Sequence, residues 1–121
     1  MFEQFNKNVP GNIVALKISQ EITQKDFDNI CRIMESAIKN HGKIRLLLVV
    51  EHYASFFSAE SLYEDLKFTH LYSNSIERMA VVGNQTWKST WVALFGLFSG
   101  FLTNYYDKTE INEAWNWLQQ H

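Results

Sequence analysis

Glu51 and His52 follow directly on the apolar run "IRLLLVV" at residues 44–50. An imidazole titrates near neutrality and a neighbouring carboxylate can orient it, so the two are of the types used in general acid/base chemistry. Adjacent residues on an extended segment point to opposite sides, however, which favours a loop histidine and a capping or solvated glutamate over a catalytic pair. Ligands of parallel α/β sheets collect outside the carboxyl ends of the strands. The corresponding positions here are Glu21, Glu51, His52, Tyr53, Ser55, Ser58, Asn84 and Trp87, and Glu51, His52 and Asn84 form the candidate polar site. His41, His52, His70 and His121 show no i, i+4 pairing and no accompanying carboxylate motif, so zinc is not expected. Neither GxxxxGK nor GxGxxG occurs, which excludes nucleotide binding by those routes. The expectation is a protein that is not an enzyme and carries no cofactor or metal.

A second set of residues has area rather than reactivity. Within "TWKSTWVALFGLFSGFLTNYY" at 86–106, Trp87, Trp91, Leu94, Phe95 and Phe98 recur at intervals that place them on one helical face. Burying each large ring contributes on the order of 2–3 kcal/mol, so the stripe needs a cover: the core, a partner subunit such as a second copy, an apolar ligand or a membrane surface. The apolar run is shorter than the roughly 20 residues a helix needs to span a bilayer. Lys88 is the single nearby cation and offers little attraction to anionic lipid, which limits membrane contact to a transient, peripheral kind. Gly96 lets such a helix approach its neighbour closely, and Gly100 ends it.

These residues need a scaffold. A chain of 121 residues suits one domain, taken here as 1–121, and 46% hydrophobic with 20% charged residues is ordinary for a globular protein. The 11 Lys and Arg are scattered and the net charge is -2, so no nucleic-acid partner is expected. Cys31 is the only cysteine, which rules out an internal disulfide and suits a reducing compartment. The start "MFEQFNKNVPGN" lacks the basic and apolar regions of a secretory signal, and a cytoplasmic location is expected.

The periodicities define the elements. "IVALKIS" at 13–19 alternates like a strand with unequal faces, and "MFEQF" ahead of the turn-prone "NKNVPGN" is a candidate edge strand. "TQKD" at 23–26 has the form of a capping box. Phe27, Ile30, Cys31, Met34, Ala37 and Ile38 then follow at helical spacing, and Gly42 stands where the helix must stop. The run at 44–50 reads as a central strand covered on both faces. A second helix follows over 58–74 with His70 on its stripe, then a strand at 76–83, a helix over 86–100 and a strand near 102–106. Thr109 opens a last helix with Ile111, Ala114, Trp115 and Leu118 inside. This alternation predicts an α/β fold, a mostly parallel four- or five-stranded sheet with four crossover helices.

"EDLKF" at 64–68, "RMAVVGNQTWKS" at 78–89 and "EAWNWL" at 113–118 resemble the SpoIIAA-like family, relatives of STAS and Sec14 (CRAL-TRIO) domains, over nearly the whole chain. The resemblance implies a compact domain of successive strand-helix units with an N-terminal antiparallel edge strand. It also implies two functions. Sec14-like relatives bind lipids or other apolar molecules under a movable helix; by that likeness Trp87, Trp91, Phe95 and Phe98 line or gate a site for an apolar, lipid-like molecule. STAS antagonists of anti-sigma factors are protein-interaction modules switched by phosphorylation of a serine at the start of the helix after the central strand. Ser58 best matches that serine, with Ser55 close by, although Phe57 stands where those proteins have an Asp.

Overall fold

The computed structural model describes residues 2–4, 12–19, 23–51, 71–83 and 101–120. In chain order these form β1 (Phe2–Gln4), β2 (Ile13–Ser19), α1 (Gln24–His41), β3 (Ile44–Glu51), β4 (Ile76–Gly83), β5 (Leu102–Asp107) and α2 (Ile111–Gln119). The expected helix over 86–100 lies outside the described residues, as does the one over 58–74 up to its last residues, which lead through a 3-10 turn at Ser73–Ser75 into β4.

The five strands stand in the sheet in the order in which they occur in the chain. β1 runs antiparallel to β2, and the other neighbours are parallel. The expected antiparallel edge strand is therefore present, and the sheet has five strands. Right-handed crossovers that always step in the same direction bring their connections to one face, leaving the other to the element that comes last. α1 packs on β2 and β3 on the first face, whereas α2 covers β3, β4 and β5 on the second. Because the order never reverses, these strands form no topological switch point, the usual crevice of doubly wound sheets.

β3 shows why an uninterrupted apolar run suits the centre. Ile44, Leu46, Leu48 and Val50 enter the cluster under α1, while Leu47 and Val49 enter the cluster under α2. The fully buried core among the described residues is aliphatic, with Met34 and Met79 as its only sulfur-bearing members. Phe27, Tyr72, Phe101, Tyr105, Tyr106, Trp115 and Trp117 are only partly buried and sit at the margins of the two clusters.

Both helices are set by local chemistry. At the start of α1 the Asp26 N–H donates to Thr23 Oγ1 and the Thr23 N–H donates to Asp26 Oδ2, each at 3.1 Å, which is the expected capping box. At its end Gly42 takes φ +80, and its N–H donates to the Ile38 carbonyl at 2.7 Å. The start of α2 differs from the expectation at Thr109. Asp107 caps a 3-10 turn at Lys108–Glu110, and α2 begins only at Ile111. Thr109 lies inside that turn, where its N–H and hydroxyl both donate to Asp107 Oδ2, at 3.1 and 2.8 Å. Glu110 closes the motif by accepting from the Asp107 N–H at 2.9 Å.

Candidate functional site

The register aligns the carboxyl ends of the strands. Ser19 of β2 pairs with Glu51 of β3, and Gly83 of β4 pairs with Asp107 of β5. Paired residues on adjacent strands lie about 5 Å apart, and the β3–β4 register sets the Gly83–Asp107 pair one residue short of the Ser19–Glu51 pair along the same edge of the sheet. Glu51 is the last residue of β3, one position further than the sequence pattern predicts, and its backbone is held in the ladder. The other predicted site residues, His52, Asn84, Ser55, Ser58, Trp87, Trp91, Phe95 and Phe98, lie outside the described residues.

Asp107 is a member of this edge that the sequence reading missed. The hydrogen bonds from the Thr109 hydroxyl and then its backbone N–H hold the Asp107 carboxyl below the usual carboxylate range, outweighing the opposing effect of desolvation. It is a fixed negative charge engaged in capping rather than a proton donor near neutrality. The string "DKTE", an acid followed three residues later by Glu, was the available signal. No group of three or more His, Cys, Asp or Glu residues is placed to hold a metal ion among the described residues.

Cys31 lies in the margin of the cluster under α1, as the helical spacing predicts. Burial pushes its thiol up more than a hydrogen bond with Tyr72 pulls it down, which leaves it a protonated, unreactive side chain at neutral pH. The Tyr72 hydroxyl donates to Glu35 Oε1 at 2.6 Å, and burial followed by this hydrogen bond drives the phenol far above its ordinary value. The three side chains tie α1 to the turn that opens β4.

At the opposite edge an arginine stands near the start of each of two neighbouring strands. Arg45 and Arg78 are register partners on β3 and β4 and share the face covered by α2. Arg45 Nη1 donates to the Leu118 carbonyl at 2.6 Å and also to the Gln120 carbonyl, while its Nε lies 3.6 Å from Glu77 Oε1. Arg78 Nη1 donates to the Trp117 carbonyl at 2.8 Å, with its guanidinium 5.4 Å from the Trp117 ring centroid. The last carbonyls of a helix have no internal partner and carry the negative end of its dipole, so two guanidinium groups both satisfy and neutralise them. A charge inside each of two neighbouring strands was the sequence signal, and only the fold shows that both meet the same helix end.

Together these features define a small α/β domain with a mostly parallel five-stranded sheet and helices on both faces. The family model described as SpoIIAA-like matches residues 13–119, and the chain belongs to that family. Among solved structures it is similar to an uncharacterised protein of the DUF3478 family with a SpoIIAA-like fold from Shewanella loihica PV-4. The two share 21% identity over 97% of this chain and 93% of that one, with a TM-score of 0.64. No curated protein matches the sequence. The SpoIIAA-like fold is that of a small regulatory or binding domain. No helix among the described residues is long and apolar enough to cross a membrane.

Proposed function

We propose that this SpoIIAA-like domain works by binding rather than catalysis, and that its ligand is an apolar, lipid-like molecule held against the aromatic stripe Trp87, Trp91, Phe95 and Phe98. The observation that carries the reading is the composition of the core. The fully buried side chains among the described residues are aliphatic or Met, and the described Phe, Tyr and Trp side chains with assigned burial stay at the margins. An aliphatic core among the described residues fits a chain that keeps rings for an external apolar surface. Family membership adds the precedent of a small binding domain.

The protein extracted from its native cell and denatured should release a hydrophobic molecule detectable by mass spectrometry. Of the four tryptophans, Trp115 and Trp117 belong to α2. In a Trp115→Phe, Trp117→Phe background, Trp87 and Trp91 are the remaining fluorophores, and their emission should shift to the blue on adding phosphatidylcholine vesicles or palmitate. The absence of both a released molecule and a fluorescence response would defeat the reading.

Family membership also favours a second reading, a regulatory protein-interaction module with Ser58 or Ser55 phosphorylated. About two added negative charges at a helix start would stabilise that terminus and repel an acidic partner. An intact mass heavier by one phosphoryl group, lost on substituting Ser58 or Ser55, is its signature.

A further inference from the structure

We propose that the cleft between the C-terminal half of α1 and the start of β2 is a binding site for a small amphiphilic monoanion, a compact apolar body bearing one carboxylate. The cleft measures about 360 Å³, within the range of roughly 300–1,000 Å³ typical of small-molecule sites. It lies at the opposite edge of the sheet from Glu51 and Asp107.

The helix surface creates the hollow. Residues four apart on a helix stack in rows, and α1 presents Arg32, Ser36 and Asn40 in one row beside Ile33, Ala37 and His41 in the next. Both central residues are small, so the surface dips between the larger side chains at either end. Ile33 and Ala37 supply the apolar wall, over Val14 of β2, which is itself only 2% exposed.

Charge selects the ligand. Among the described residues, Arg32 is the one Lys or Arg that lines the cleft, and no Asp or Glu lines it. The nearby acids of α1 are engaged elsewhere: Asp28 accepts from Gln24 Nε2 at 3.0 Å, and Glu35 accepts from the Tyr72 hydroxyl at 2.6 Å. Arg32 Nη1 donates to Asn29 Oδ1 at 3.2 Å, one bond from a fork with five N–H donors. A carboxylate matches that fork, with the Ser36 hydroxyl and the Asn40 amide as polar neighbours. A cation would be repelled. A neutral apolar molecule would strip water from the guanidinium without replacing it.

The test is a titration of the isotopically labelled full chain with sodium octanoate, followed by amide NMR, with acetate and 1-octanol as separate arms. Octanoate should shift the Ile33, Ala37 and His41 amides saturably. Acetate lacks the chain and octanol lacks the charge, and each should bind about tenfold or more weakly. Arg32→Gln should weaken octanoate about tenfold, the loss of one charge-assisted hydrogen bond. Ser36→Trp should abolish the shifts by filling the dip. Both sites are exposed, and unchanged Leu47 and Val81 amides in each variant would show the core intact. Saturation read at the Ile33, Ala37 and His41 amides themselves separates this site from the aromatic stripe. The proposal is overturned if octanoate shifts no cleft amide, if octanol binds as well, or if Arg32→Gln leaves the affinity unchanged.

Discussion

Replacing Arg45 by Leu tests whether α2 is held on the sheet by its terminal carbonyls or by apolar contact alone. The substitution keeps an apolar stem and deletes the guanidinium. The bond to the half-buried Leu118 carbonyl is charge-assisted, and bonds of that kind contribute about 1.5–3 kcal/mol. The Gln120 carbonyl is exposed, so water replaces most of what is lost there. Glu77 is 40% exposed, and pairs of that sort contribute about 1 kcal/mol or less. In the other direction, Arg45 Nε is buried with no hydrogen-bond partner, and removing it recovers about 1 kcal/mol of desolvation. The net expectation is a loss of about 2 kcal/mol. Urea unfolding followed by far-ultraviolet circular dichroism should show a lower midpoint at an unchanged slope. In a Trp87→Phe, Trp91→Phe background, emission from Trp115 and Trp117 reports α2 directly. A loss below about 0.5 kcal/mol would refute the reasoning, because water would then serve those carbonyls as well as the guanidinium does.

Leu118→Ala should cost about 3 kcal/mol in the same urea assay, since the side chain is 0% exposed on the inner side of α2 and its removal leaves a cavity. Gly42→Ala should cost about 1–2 kcal/mol by thermal unfolding; nothing lies within 4 Å of an added Cβ, so the cost is the backbone at φ +80 rather than a clash. Tyr105 is pushed up to about 12 by burial and then by the charge of Asp107, so its contribution to stability is complete below pH 10 and is lost as the pH rises through about 12. Ultraviolet difference titration should show that late ionisation, and Tyr105→Phe should remove it. Asp107 titrates below its ordinary 3.8, so its contribution is present above that value and is lost as the pH falls through the lowered one. Asp107→Asn should flatten the acid limb of a stability profile measured by urea midpoints.

Much of the fold was legible because its signals are local. The capping box at Thr23 and Asp26, the stop at Gly42 and the strand runs at 13–19, 44–50 and 76–83 depend on residues within a turn or two of one another. The same reasoning misplaced the start of the last helix, because Thr109 is a good cap by type but Asp107, two residues earlier, already caps the turn that contains it. Of the predicted site, Glu51 could be placed at the end of its strand because strand length follows from the apolar run that precedes it. Nothing local could reveal that Asp107 stands at the same edge.

The amino-acid order alone determined the alternation of strands and helices, the two-sided burial of β3 and the inward stripe of α1, since side-chain period and capping chemistry act over a few residues. Only the tertiary structure decided that the strands line up without reversal, that α2 takes the face opposite α1, and that Arg45 and Arg78 stand side by side beneath its last carbonyls. The same holds for the dip at Ser36 and Ala37, which becomes a cleft only once β2 is packed against it. The reason is that a charge or a small side chain takes its role from what lies across from it, and in a parallel sheet that neighbour arrives from a crossover dozens of residues away.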